Sequence, residues 1–137
     1  MCMAVDHNRR TGEEGEEIAS RYLKRRGYRI LERNFRSPFG ELDIIAGKAG
    51  KVVFCEVKTR TVGDIEEALG AVDERRRQRM ARAASYYLAR RGGAVSGCRF
   101  DVIALLKKGG KWKIVHVEDA FVLDELDNYD REGHAFP

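Results

Sequence analysis

Two β-prone runs, 41–46 and 51–59, separated only by Gly47-Lys48-Ala49-Gly50, constrain this chain more than any other feature. Strand-like runs joined by a glycine-bounded connection of that length pair as an antiparallel hairpin. On the first strand Glu41, Asp43 and Ile45 are expected to share one face and Leu42, Ile44 and Ala46 the other. On the second, Val52, Phe54, Glu56 and Lys58 share a face, with Cys55 and Val57 opposed. A run as apolar as Val52-Val53-Phe54-Cys55 belongs in the middle of a sheet, so the remaining chain must supply its neighbours and covering layers.

Those layers are legible from helical spacing. From Gly12 to Arg26, Ile18, Ala19, Tyr22 and Leu23 recur at three- and four-residue intervals, and Gly27 is placed to end a helix. A strand over 28–34 and a Ser37-Pro38-Phe39-Gly40 loop lead into the hairpin. After it, Asp64 can cap a long helix from Ile65 to Arg91, stopped by Gly92-Gly93, whose inward stripe is Leu69, Val72, Met80, Ala83 and Tyr87. Strands over 99–106 and 112–118 follow, separated by Lys107-Lys108-Gly109-Gly110. The expected fold is therefore α/β: a central mixed five-stranded sheet flanked by helices, in the order α-β-β-β-α-β-β. With 137 residues the chain fits one domain over 12–123, preceded by a flexible segment 1–11 and followed by an acidic tail 124–137.

Charged residues make up 35% of the chain and the formal net charge is +4, which suits a polyanionic partner without requiring one. Clustering is more informative. Arg75, Arg76, Arg77, Arg79 and Arg82 crowd one segment, and Lys24, Arg25, Arg26, Arg29, Arg33 and Arg36 another, as along a phosphate track. Cys2, Cys55 and Cys98 are odd in number and lack C-x-x-C spacing, so a disulfide framework is not expected and a reducing cytoplasm is the simplest location. Residues 1–10 have no apolar core of a signal peptide, and no apolar run is long enough for a membrane span. P-loop, dinucleotide and G-x-S-x-G signatures are absent.

The hairpin carries the chemistry. Phosphodiester hydrolysis needs a hard divalent cation, Mg²⁺ or Mn²⁺, held by oxygen ligands. Asp43 and Glu56 lie on successive strands and can meet across the hairpin if the register opposes them; Lys58 projects from the face of Glu56, and the Val57 carbonyl offers a further oxygen. A lysine held there can orient the attacking water or stabilise the transition state. Alternating charges often mean only a solvated strand face, and a D…E-x-K pattern arises frequently by chance. Here the charged pair ends an apolar, central strand, where burial is costly unless the charges are paired or hold a metal.

Gly15-Glu16, Tyr28-Arg29-Ile30-Leu31 with Asn34 and Arg36, Gly40-Glu41-Leu42-Asp43-Ile44-Ile45, Val53-Phe54-Cys55-Glu56-Val57-Lys58-Thr59-Arg60, and Arg99-Phe100-Asp101-Val102 with Ala120-Phe121 together resemble the bacterial YraN-like proteins over roughly residues 12–121. That resemblance implies a restriction-endonuclease-like core of the PD-(D/E)xK type, distantly similar to archaeal Holliday junction resolvases. It makes Asp43 and Glu56 metal ligands, Lys58 the catalytic lysine and Glu16 a candidate additional ligand. Glu16 could equally be an exposed glutamate favouring the helix dipole. Arg76 falls within the apolar stripe where family members often carry lysine; its planar fork can grip a phosphate or carboxylate, or it can snorkel to solvent. Arg76 is assigned with Arg75, Arg79, Arg82 and Arg60 to nucleic-acid binding.

The expected activity is metal-dependent hydrolysis of DNA, branched or single-stranded, in repair or recombination; resolving two symmetric strands would require a homodimer. The alternatives are a nucleic-acid-binding module with the same fold and negligible turnover, and a protein-interaction subunit. Asp101 is expected to pair with a neighbouring arginine, and Trp112 and Tyr86-Tyr87 to serve as core or interface aromatics.

Overall fold

The computed structural model describes residues 2–60 and 72–121, with side chains from Gly12 onward. Helix α1 (Cys2–Arg25) precedes β1 (Arg29–Ser37), β2 (Gly40–Lys48) and β3 (Lys51–Arg60); helix α2 (Glu74–Arg91) is followed by β4 (Gly97–Lys108) and β5 (Lys111–Val117). The five strands form one sheet in sequence order, antiparallel throughout except for the parallel β3–β4 pair. This is the expected α-β-β-β-α-β-β order and mixed sheet.

Two boundaries differ from the sequence reading. Helix α1 begins at Cys2 rather than Gly12, so its backbone continues through the polar segment. Helix α2 is not continuous from Ile65: Asp73 adopts an extended backbone and its side chain accepts from Arg76 N at 2.9 Å, capping a helix that starts at Glu74. An N-cap residue is by nature outside the helical conformation, so Asp73 interrupts the run. Asp64 and Leu69 lie outside the described residues. Both glycine stops hold: Gly27 has φ +89 with Tyr28 N donating to Leu23 O at 3.0 Å, and Gly92 closes α2 with φ +68.

Strand alternation divides the core into two layers. Val52 and Phe54 of β3 and Phe100 and Val102 of β4 pack against Met80, Ala83, Ala84 and Tyr87 of α2. Val53 and Cys55 with Ile103 and Leu105 face the other way, against Ala19 and Leu23 of α1. In β2 the expected alternation fails at Asp43. Leu42 joins the same cluster as Ile45, although strict alternation would put them on opposite faces. The neighbouring β1 shows why: between the pairs Arg33↔Ile44 and Phe35↔Leu42 sits Asn34, with φ +53, so both strands leave regular geometry at the same level.

A polar network holds the α1 layer on the sheet. Asp101, fully buried on β4, accepts from Arg99 Nε and Nη2 at 2.8 Å and from the backbone N of Asp119 at 3.0 Å. His116 Nε2 lies 2.7 Å from the same carboxylate, and His116 Nδ1 lies 3.0 Å from the Tyr22 hydroxyl of α1. A carboxylate can only accept, so Nε2 carries the hydrogen facing Asp101 and Nδ1 can accept from Tyr22. Arg99 Nη2 also donates to the Tyr28 hydroxyl at 2.6 Å. Burial pushes the Asp101 carboxyl up, but His116, Arg99 and the Asp119 amide outweigh it and hold its pKa below the usual value. The expected arginine partner of Asp101 is thus Arg99, while the histidine and the two tyrosines were not foreseen.

Gly15 sets how closely α1 approaches β3. A Cβ there would lie 2.2 Å from Thr59 Oγ1 and 3.2 Å from Leu105 Cδ1. Alanine normally improves a helix over glycine by about 1 kcal/mol, but overpacking of this kind costs about 1–3 kcal/mol. Gly15→Ala should therefore lower stability by up to about 2 kcal/mol net, and Thr59→Ala in the same chain should recover part of it. Urea unfolding of the two variants measures both effects; an unchanged Gly15→Ala midpoint would mean that α1 shifts freely on the sheet.

Candidate functional site

The β2–β3 ladder runs from Lys48↔Lys51 to Ile44↔Cys55. One step further, the same register opposes Asp43 and Glu56. There the backbone ladder gives way to a side chain: Val57 N donates to Asp43 Oδ2 at 2.8 Å. N–H and C=O of one strand residue point to the same side, so the Val57 carbonyl is also turned toward the gap opening between β2 and β3. The site is the fork where two central strands part.

Burial and proximity control its charges. Glu56 is 3% exposed, and its carboxyl group is hydrogen-bonded to that of Asp43. Two acids in contact cannot both ionise cheaply. Burial first, then the hydrogen bond and charge of Glu56, push Asp43 up to about 9, against the opposing Val57 amide. For Glu56 burial acts upward too, but hydrogen bonds from Asp43 and Arg76 and the charges of Arg76 and Lys58 bring it below its usual value. Burial and proximity thus favour the protonated form of Asp43 and the ionised form of Glu56.

Arg76 reaches inward from the first turn of α2. Its Nε donates to Glu56 Oε2, and its Nη2 donates to Glu56 Oε1 at 3.2 Å and to the Glu41 carbonyl at 3.2 Å. The forked contact is the bidentate geometry arginine supplies and lysine cannot. Lys58 is close enough for its charge to act on Glu56, and makes no hydrogen bond or ion pair among the described residues.

The other anticipated residues are farther out. Glu16 lines a cleft of about 580 Å³ with Gly12, Glu13, Arg36, Glu41 and Asn34, the β1 residue of positive φ. Burial raises its pKa, opposed by Asn34 and Arg33, and its charge reaches Asp43. Among the described residues no three His, Cys, Asp or Glu side chains cluster tightly enough to hold a metal ion. The protein thus offers two carboxylates and a carbonyl at the fork, with Glu16 in the adjoining cleft. Arg60 donates to its neighbour's carbonyl, Thr59 O, at 3.0 Å. Arg75, Arg79 and Arg82 are exposed and, with Gln78, line a shallow cleft of about 280 Å³. Asn34 and the Glu41 carbonyl were not anticipated as parts of the site; the available signal for Asn34 was its residue type, since asparagine tolerates the left-handed region.

The model of the uncharacterised protein family UPF0102 matches residues 15–105, which include Glu16, Asp43, Glu56, Lys58 and Arg76. The chain belongs to this family. Relatives in it include UPF0102 proteins of Moorella thermoacetica, 48% identical over 97 residues (71% of this chain and 81% of the relative), and of Pelobacter propionicus, 47% identical over 119 residues (85% of each). Family membership agrees with the YraN-like resemblance of the sequence. The family alignment begins at Gly15, where α1 makes its close approach, and ends at Leu105 on β4, so it spans the fork and its supports. Among the described residues, no helix is long and apolar enough to cross a membrane, and Cys55 and Cys98 are free thiols.

The raised Asp43 pKa has a thermodynamic sign. Unfolded, Asp43 loses its proton near pH 4; folded, it keeps that proton until about pH 9. Between these values the folded chain binds one proton more than the unfolded chain, so Asp43 makes stability fall as pH rises. Asp43→Asn mimics the protonated acid, and in chelator its melting temperature should exceed that of the wild type progressively from pH 5 to pH 9. Parallel pH profiles for the two proteins would show that Asp43 titrates normally.

Proposed function

We propose that this protein is a metal-dependent nuclease that hydrolyses phosphodiester bonds in DNA. The observation that carries this reading is the meeting of Asp43 and Glu56, two buried acids, at a strand fork with the charge of Lys58 close by. Such a pair is costly in a structural core, where one apolar pair would pack as well. It fits a hard cation because all its donors are oxygens: Asp43, Glu56 and the Val57 carbonyl. Bound there, Mg²⁺ or Mn²⁺ would activate water and offset charge developing at phosphorus.

The protein's own residues divide the remaining work. Asp43 must surrender its proton to ligate, so loading of the site releases a proton and is favoured by rising pH. Arg76 keeps Glu56 ionised and holds its carboxylate in one orientation. Lys58, on the same strand face, can donate to the water or to a phosphate oxygen. Glu16 lines the adjoining cleft, and the α2 arginines Arg75, Arg79 and Arg82, with Arg60, supply positive charge for the phosphate backbone. A specific observation favours a second reading, DNA binding without turnover: Arg76 already neutralises Glu56.

A panel of branched, nicked and single-stranded DNAs with Mg²⁺ or Mn²⁺ separates the two. The wild type should cleave at least one substrate, and Glu56→Gln should abolish cleavage. Lys58→Ala should slow single-turnover cleavage by about 10²–10³-fold, the usual loss for one transition-state donor, with unfolding and cation affinity little changed. Cation-independent cleavage, or full rate in Lys58→Ala, would remove this mechanism; binding across the panel without cleavage would establish the second reading.

A further inference from the structure

The outward stripe of α2 changes character along its length. Arg75, Arg79 and Arg82 occupy it near the Arg76 end; the next position is Tyr86, followed by Arg90. The tip of the β1–β2 hairpin lies against this stripe. Ser37 Oγ donates to Gly40 O at 2.7 Å and accepts from Phe39 N at 3.1 Å, which holds the tip in shape. Gly40 has φ +140, and a Cβ built on it would lie 3.9 Å from Arg79 Cβ, so the tip sits beside the helix with little space between. Phe39 is thereby brought to Tyr86, centroids 6.4 Å apart and rings at 70°. The Arg90 guanidinium lies over the Tyr86 ring at 5.0 Å.

Phe39 and Tyr86 are not part of the core. Phe35, four residues before Phe39, and Tyr87, next to Tyr86, pack in the α2 layer, whereas Phe39 and Tyr86 belong to neither hydrophobic cluster and are half-buried. Of the Tyr86-Tyr87 pair expected in core or interface, Tyr87 lies in the core. An aromatic side chain on a hairpin tip, outside the core, against a tyrosine that carries a guanidinium on its ring and beside a stripe of arginines, has the composition of a single-strand site: rings for base faces and cations for phosphates. Bases within a duplex are stacked on one another and do not offer a free face to such a ring. From Arg76 to Tyr86 the helix rises about 15 Å, a span of a few nucleotides from the Asp43–Glu56 fork.

We propose that Phe39, buttressed by Tyr86, is a stacking platform for an unpaired base, and that the substrate carries single-stranded DNA beside the bond presented to the fork. The assignment of that bond rests on the nuclease reading; the platform is a binding property and needs no turnover. Substrates of this class are flaps, forks and open junctions, in preference to continuous duplex.

The test is binding in EDTA, at one salt concentration, of a fluorescent oligo-dT and a blunt duplex of equal length. Phe39→Leu keeps apolar bulk but removes the ring; it should weaken oligo-dT binding about 5- to 50-fold while changing duplex affinity less than about twofold, within the scatter of a surface substitution. Phe39→Trp should retain oligo-dT affinity, and its emission should be quenched by the oligonucleotide beyond the response of the wild type, whose single tryptophan is Trp112. Thermal unfolding of each variant confirms a folded protein. Wild-type oligo-dT affinity in Phe39→Leu, equal losses on both DNAs, or unquenched Phe39→Trp would each overturn the platform. Cation-dependent cleavage by Glu56→Gln is scored separately, so failure of the platform and failure of the nuclease reading are distinguishable.

Discussion

Everything at the fork depends on one substitution of partners: a carboxylate takes the place of a backbone carbonyl. Val57 N would pair with β2 if that strand continued in register, but it pairs with Asp43 Oδ2. The exchange ends the β2–β3 ladder without leaving a buried amide unsatisfied. It also brings Asp43 beside Glu56, favours the protonated form of Asp43, and creates the demand that Arg76 answers from α2. Strand geometry, protonation and helix placement are therefore not independent features. Asn34 belongs to the same adjustment, since its left-handed backbone lets β1 follow β2 through the irregularity and turns a polar side chain toward Glu16.

Much of this was legible in residue order. The Gly47–Gly50 connection and the apolar run after it specified the hairpin, and the observed register supplies the condition under which Asp43 can meet Glu56. The phase of Met80, Ala83 and Tyr87 placed Arg76 on the inward face, and its contact with Glu56 follows from that phase. Failures occurred where a local rule yielded to tertiary context. Strict alternation misassigned Leu42, because alternation presumes a regular strand and Asp43 breaks one. Periodicity carried the helix through Asp73, whose side chain caps α2 only because its own backbone is extended, which spacing alone does not reveal. The partners of Asp101 were hidden for another reason: Tyr22, Tyr28 and His116 are remote in sequence and meet only after the sheet is assembled.

The two faces of the sheet solve the problem of buried charge differently. On the α1 face Asp101 is saturated by Arg99, His116 and the Asp119 amide, an arrangement that ties α1, β1, β4 and β5 together and leaves no vacant acceptor of note. On the α2 face, among the described residues, the Asp43–Glu56 pair has one basic partner in contact, with Lys58 nearby and without a hydrogen bond or ion pair. The first is a closed network and the second an open one. That contrast, more than burial itself, distinguishes a structural polar cluster from one suited to chemistry.

The parallel pairing of β3 with β4 has a consequence for the order of assembly. The β1–β2–β3 meander consists of contacts near in sequence, whereas β4 can join β3 only after the chain between Arg60 and Gly97 has closed. Local contacts form at low entropic cost, and closing a long crossover comes at a higher one. Asp43 and Glu56 both lie on the meander, while Arg76 arrives with the crossover. A nascent chain therefore meets the two acids together before their arginine is in place.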